Sequence, residues 1–117
     1  MNLKECYSAF KGDYEDVMAR LPREASVIKF LRKFTENTDF DEMLKAYADK
    51  DYEKVFATSH NLKGMAANLS ISEFCKSVTE VCEAVRGGEP KSDIAPLIEK
   101  SKADYGMTID AISRLED

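Results

Sequence analysis

The sequence predicts an all-α protein: an antiparallel four-helix bundle preceded by short additional helices at the N-terminus. Apolar residues recur at spacings of three and four through most of the chain, which is the helical period. No segment alternates apolar and polar residues for long enough to form a convincing strand. We therefore expect one helical domain over residues 1–117, with the short helices over about 2–20 and the bundle over about 22–116.

Short breaks divide the first part of the chain into helices. Gly12 separates the first two helices, and Asp13 is the expected N-cap of the second. Pro22 starts the third helix, which Thr38 and Asp39 end. The predicted helices cover about residues 2–10, 13–20, 22–37, 40–50 and 51–69.

The segment Ser70-Ile71-Ser72-Glu73 has the pattern of a capping box, with Ser70 as N-cap and Glu73 at the third helical position. On this interpretation Ser70 needs no positive φ. The helix that follows runs to about Arg86, where two glycines stop it. Asp93 is the expected N-cap of the last helix, with Pro96 in its first turn.

Composition excludes several classes of function. The chain has 117 residues, a net charge of −5, 44% hydrophobic and 33% charged residues, which is a globular balance. No apolar run approaches the roughly 20 residues of a membrane helix, and the first residues lack the apolar core of a signal peptide. No basic cluster could track a phosphate backbone, so nucleic-acid binding is not expected. We expect a cytoplasmic monomer.

No metal, cofactor or nucleotide motif occurs in the sequence. The cysteines Cys6, Cys75 and Cys82 lack metal-ligand spacing, and we interpret them as small buried residues. The acidic residues lack the spacing of a calcium loop, and no glycine-rich phosphate loop is present. The chain therefore has no site for phosphorylating itself from ATP.

The only histidine, His60, lies on a helix face with almost no side chains around it. At about 100° per residue, His60 lies roughly 130° from the centre of the apolar stripe of its helix. The neighbouring positions on the wheel are Ala57, Gly64 and Ala67. Such a face gives a partner access to a nucleophilic imidazole, and Lys63 on its flank supplies a charge suited to a phosphoryl oxygen. The stripe consists of Tyr52, Val55, Ser59, Leu62, Ala66 and Leu69.

The segment 57–64, Ala-Thr-Ser-His-Asn-Leu-Lys-Gly, resembles the signature of histidine-containing phosphotransfer (HPt) domains, the intermediate carriers of multistep phosphorelays. The resemblance extends from about Arg23 to Arg86 and includes Asp51-Tyr52 before the histidine and the pattern from Phe74 to Val85 after it. The family often has glycine ten residues after the histidine, where this chain has Ser70.

The resemblance implies a freestanding phosphohistidine carrier of bacterial type and not an enzyme. His60 would be the phosphorylated residue, Lys63 the charge near the phosphate, and Gly64 the residue that gives access. The expected partners are receiver domains of response regulators, a hybrid histidine kinase, or both. The chain would need no cofactor, because the receiver would supply the divalent metal.

Two other functions remain open on the sequence. A helical adaptor, or a structural bundle that binds signalling proteins, could share the fold without being phosphorylated. The intact set of His60, Lys63 and Gly64 argues against that alternative. A phosphohistidine phosphatase would need a group that activates water, and Asn61 points about 100° away from His60.

Overall fold

In the computed structural model of the protein, which describes residues 1–116, every regular element is an α-helix. This confirms the predicted all-α class. The helices are α1 (Leu3–Ala9), α2 (Tyr14–Arg20), α3 (Glu24–Glu36), α4 (Asp39–Ala48), α5 (Tyr52–Asn68), α6 (Ser72–Ala84) and α7 (Ala95–Ser113).

Side chains cap the N-termini of three of these helices. Asn2 and Glu5 form a capping box at α1, in which each side chain accepts a hydrogen bond from the other residue's backbone N–H. The Asp13 side chain accepts from the Asp16 N–H at 3.0 Å and so caps α2, as predicted. Asp51 caps the histidine-bearing helix α5 by accepting from the Lys54 N–H. Each cap satisfies a backbone donor that has no partner within its helix.

Two other helix starts differ from the prediction by one or two residues. Helix α3 begins at Glu24, with Arg23 at the N-cap, so Pro22 precedes the helix instead of opening it. The N-cap of α7 is Ile94 and not Asp93, although the Asp93 side chain accepts a hydrogen bond from the Ala95 N–H at 3.0 Å. A short polar residue can satisfy the same donor from one position further out.

The predicted capping box at Ser70 is wrong. Helix α6 starts at Ser72, with Ile71 at the N-cap and no side-chain cap. Ser70 instead has φ +55°, in the left-handed region that L-residues rarely adopt. The position at which the resembled family often has glycine is thus a positive-φ position in this chain. Hydrogen bonds to other parts of the chain hold the serine there.

The first two helices hold the C-terminal end of α5 through a set of hydrogen bonds that we call the N-terminal clasp. The Tyr7 hydroxyl donates to the Leu69 carbonyl at 2.7 Å, and the Asp13 N–H donates to the Ser70 carbonyl at 2.9 Å. Arg20 donates to the Asn68 carbonyl and to Ser70 Oγ, each at 2.7 Å, and Ser70 Oγ donates to Asp16 at 2.6 Å. These contacts satisfy carbonyls that the end of a helix leaves without a partner.

The long helices pack side by side around one apolar core. Helix α5 packs against α4 and α6, and α6 packs against α7. Lys63 lies beside Cys75 and Phe56 beside Arg86, so α5 and α6 run in opposite directions. The rings of Phe40 on α4 and Tyr105 on α7 stack at 4.0 Å, which joins those two helices as well. The core cluster contains buried residues from every helix.

The three cysteines differ in burial. Cys6 and Cys82 are buried and Cys75 is half-buried, and all three are free thiols. Burial raises the pKa of Cys6 to about 11, which keeps that thiol protonated at neutral pH.

Among residues 1–116, no helix has both the length and the apolar character needed to cross a membrane.

Candidate functional site

Helix α5 presents His60 to solvent and turns its apolar stripe into the core. The imidazole is exposed, while five of the six predicted stripe residues are buried and Tyr52 at the start of the helix is half-buried. Buried Ser59 satisfies its hydroxyl within the helix, by donating to the Phe56 carbonyl at 3.1 Å. The stripe therefore fixes the rotation of α5 about its axis, and that rotation determines the direction in which His60 points.

One flank of His60 is open. Ala57, Gly64 and Ala67 are all exposed, and together they leave the surface beside the imidazole almost without side chains. A Cβ atom built on Gly64 would meet nothing within 4 Å. The helix therefore has room for a larger residue at this position, and no close packing requires the glycine there. Its absence of a side chain keeps the approach to His60 clear.

On the other flank, which faces α6, the aromatic ring of Phe56 lies next to the imidazole. The rings of Phe56 and His60 lie one helical turn apart, with centroids separated by 5.9 Å and planes inclined by 21°. This near-parallel arrangement is one of the favourable geometries for aromatic pairs. Phe56 is half-buried, so its ring packs against the core and also reaches the surface. The imidazole is thus bounded on one side and free on the other.

An ion pair at the C-terminal end of α6, between Glu83 in its last turn and Arg86 just beyond it, contacts the same phenyl ring. The Arg86 guanidinium carbon lies over the ring of Phe56 at 5.2 Å from its centroid, within the range of a cation–π interaction. Arg86 also donates two hydrogen bonds to the Glu83 carboxylate, at 2.8 and 3.0 Å. These hydrogen bonds lower the pKa of Glu83 and raise that of Arg86, because each partner stabilises the charged form of the other.

Lys63 lies on the α6 side of His60 and is half-buried. Its positive charge makes a small contribution to the lowered pKa of Glu83, after the hydrogen bonds from Arg86. Its backbone carbonyl accepts a weak hydrogen bond from the Cys75 thiol at 3.8 Å. Lys63 therefore belongs to the charged side of the site, together with Arg86 and Glu83. The structure places the three predicted site residues, His60, Lys63 and Gly64, around one exposed imidazole.

An apolar groove of about 540 Å³ lies near the C-terminal end of α5. Met65, Asn68 and Leu69 form its α5 wall, and α2 and α3 supply the rest. Phe30 on its rim is 40% exposed and has the Lys33 ammonium over its ring at 5.9 Å. Within residues 1–116, no cluster of three or more His, Cys, Asp or Glu side chains could hold a metal ion.

Sequence reasoning predicted His60, Lys63 and Gly64 as site residues and included no residue of α6. In the structure Phe56 packs against the core and also lies against the His60 ring. The prediction did not include Arg86 or Glu83. Glu83 and Arg86 are three residues apart at the end of the predicted helix, and that spacing was a usable signal for an ion pair. Their position next to Phe56 depends on how α5 and α6 pack, and no local pattern encodes that packing.

No model of a known protein family matches this chain, and no curated protein or solved structure matches it either. The surface around His60 combines an exposed imidazole, an open flank, and an aromatic and charged flank formed with α6.

Proposed function

We propose that this protein is a histidine phosphotransfer domain, which receives a phosphoryl group on His60 from the aspartyl phosphate of one receiver domain and passes it to the aspartate of another. The observation that carries the proposal is the exposed imidazole beside the open position at Gly64. A carrier needs this arrangement because the reacting group of a second protein must come within bonding distance of the ring. The resemblance of segment 57–64 to HPt domains supports the same function.

The proposed transfer exchanges one phosphorus bond for another. A ring nitrogen of neutral His60 attacks the phosphorus, and a nitrogen–phosphorus bond forms as the bond to the aspartate oxygen breaks. The aspartate leaves as a carboxylate with the electron pair of that bond, and the phosphorylated ring then releases its extra proton to water. In the second step the carboxylate of the next receiver attacks the phosphorus, and an oxygen–phosphorus bond forms as the nitrogen–phosphorus bond breaks. The imidazole takes up a proton and leaves as the neutral ring.

In this proposal Lys63 assists by charge. The phosphoryl oxygens carry negative charge throughout the transfer, and a nearby ammonium stabilises them. The half-buried position of Lys63, on the side of α5 that faces α6, restricts its movement more than full exposure would. We assign the divalent metal and most of the catalytic groups to the receiver domain. The contribution of this chain is to hold a reactive imidazole in a fixed orientation on a packed helix.

We also infer that α4, α5, α6 and α7 form an antiparallel four-helix bundle. Short connections link α4 to α5 and α5 to α6, as is usual between antiparallel neighbours. The Phe40–Tyr105 stack joins the first and last of these helices. Such a bundle would hold α5 rigidly while one face remained exposed to partners. We place the protein in the cytoplasm as a monomer, with receiver domains as its partners.

The experiment that tests this function is a two-step transfer. A panel of receiver domains is phosphorylated with a labelled small-molecule donor and mixed with the protein, which is then separated and mixed with a second receiver. We expect the label on the protein to be labile in acid and stable in base, as a phosphoramidate bond is, and to move to the second receiver. Binding of receivers with no transfer of label would favour the non-phosphorylated adaptor and contradict the proposal.

A further inference from the structure

We infer that Phe56 is a positioning residue for phosphotransfer: its ring, held by the Arg86–Glu83 ion pair, fixes the plane of the His60 imidazole. This inference rests on the proposed function and adds residues that the HPt-like motif does not contain. It is carried by the 5.9 Å stack of the two rings and by the guanidinium that lies over the phenyl ring at 5.2 Å.

An exposed histidine on a helix normally samples several rotamers of its side chain. A nucleophile that rotates freely is rarely aligned for in-line attack, so orienting it costs entropy. Each torsion that is already restricted in the free protein removes part of this entropic cost before the partner binds. The ring of Phe56 restricts His60 on the α6 side, while the opposite flank at Gly64 offers nothing to pack against. The stack is therefore the contact that can hold the imidazole in one plane.

The phenyl ring itself needs support if it is to hold another ring. Phe56 packs against the core on one side, and its surface portion has Arg86 above it. The two hydrogen bonds from Arg86 to Glu83 keep the guanidinium in place. Both charged side chains are more than half exposed, so this ion pair adds little to the stability of the fold. Its effect on the orientation of Phe56 can thus be separated from an effect on folding.

Nuclear magnetic resonance tests the stack directly, because His60 is the only histidine and its ring protons need no further assignment. In the parent protein these protons should show ring-current shifts from Phe56. The shifts should disappear in Phe56→Leu, which keeps the apolar bulk, and persist in Phe56→Tyr, which keeps the ring. Phe30→Leu is the matched control, since it removes another surface phenyl with a cation over it. Unchanged shifts in Phe56→Leu would overturn the inference.

Two phosphoryl donors then separate positioning from reactivity. With a phosphorylated receiver at saturation, Phe56→Leu should transfer about tenfold more slowly than the parent, and Phe56→Tyr at nearly the parent rate. With phosphoramidate, a small donor that reacts in any orientation and releases ammonia, Phe56→Leu should react within about twofold of the parent. Equal losses with both donors, or no loss with either, would contradict a positioning role.

Arg86 supplies a second set of variants. Arg86→Ala should slow transfer from the receiver several-fold, and Arg86→Lys should restore much of the rate, because a cation over the ring is retained. Equal rates in Arg86→Ala and the parent would remove the ion pair from the inference. If the parent accepts no phosphate from any receiver, the proposed function and the positioning role both fail. If the parent transfers normally and Phe56→Leu does too, only the positioning role fails.

Discussion

The Tyr7 hydroxyl donates a 2.7 Å hydrogen bond to the Leu69 carbonyl and so joins the first helix to the end of the helix that carries His60. Burial raises the pKa of Tyr7, so the hydroxyl remains protonated and able to donate. The other hydrogen bonds of the N-terminal clasp involve the next residue, Ser70, except that Arg20 also donates to the Asn68 carbonyl. The short N-terminal helices therefore fix the position of one end of α5, and with it the frame in which His60 is presented.

Replacing Ser70 with glycine or alanine separates its backbone strain from its hydrogen bonds. Both substitutions remove the contacts with Arg20 and Asp16, but only glycine adopts φ +55° without strain. The free energy of unfolding of Ser70→Ala should therefore be lower than that of Ser70→Gly by about 1 kcal/mol. Urea denaturation of the two variants measures this difference. A Ser70→Ala variant as stable as Ser70→Gly would show that the left-handed conformation is not strained.

The Asp16 carboxylate predicts how stability changes in acid. The hydrogen bond from Ser70 lowers the pKa of Asp16, and the hydrogen bond from Arg20 lowers it further. A carboxyl group whose pKa is lower in the folded state contributes stability above its unfolded pKa, about 3.9, and loses it as pH falls through the folded value. The parent should therefore lose stability more steeply below about pH 4 than Asp16→Asn. Parallel acid profiles of unfolding would contradict this linkage.

Three glycines should respond differently to alanine because their surroundings differ. A Cβ on Gly12 would lie 2.7 Å from the Ser70 carbonyl oxygen and against the rings of Phe10 and Tyr7, whereas a Cβ on Gly64 or Gly106 would meet nothing. Gly12→Ala should cost about 1–3 kcal/mol by overpacking. Gly64→Ala and Gly106→Ala should each stabilise by up to ~1 kcal/mol, because glycine is unfavourable within a helix. Thermal melts give the three values.

Gly64 and Gly106, which both lie within helices, provide a matched test of access to His60. Gly64→Gln should slow phosphotransfer sharply, because it adds bulk to the open flank. Gly106→Gln places the same side chain at an exposed position in the middle of α7, and this variant should transfer phosphate at the parent rate. Comparable rates in the two glutamine variants would refute the steric explanation of the open flank.

The helical fold could be predicted because its signal is local. The spacing of apolar residues identified the buried stripe of α5, including Val55, Leu62 and Ala66, and therefore also the exposure of His60. Asp13 was recognised as an N-cap from its position in the sequence alone. Information of this kind extends over one or two helical turns, and the predicted site residues all lie within one turn of the histidine.

Ser70 and Arg86 could not be placed in the same way. The sequence around Ser70 fits a capping box, but the clasp from α1 and α2 captures this residue in the left-handed conformation. More than 45 residues separate Ser70 from its partners Arg20 and Asp16, so the competing contacts are invisible in a local pattern. The contact of Arg86 with Phe56 likewise depends on the register between α5 and α6. Tertiary contacts decided both cases.

Lys63 is expected to act through its charge and not through docking. Lys63→Ala should reduce the transfer rate within the receiver complex by about tenfold or more, the equivalent of a charge-assisted hydrogen bond of ~1.5 kcal/mol. Lys63→Arg should retain much of the rate, and Lys102→Ala on α7 is the control for loss of a surface lysine. Weaker binding of the receiver with an unchanged rate in the complex would instead make Lys63 a docking residue.

Phosphorylation of His60 is tested by comparing the parent protein with His60→Gln in transfer from a labelled phosphorylated receiver. His60 is exposed and outside the core, so the variant should keep its helical content and melting temperature. We expect an acid-labile phosphate on His60 of the parent, located by mass spectrometry of peptides kept at alkaline pH, and no phosphate on His60→Gln. Label on the folded His60→Gln protein at the parent level would show that His60 is not the residue that carries the phosphoryl group.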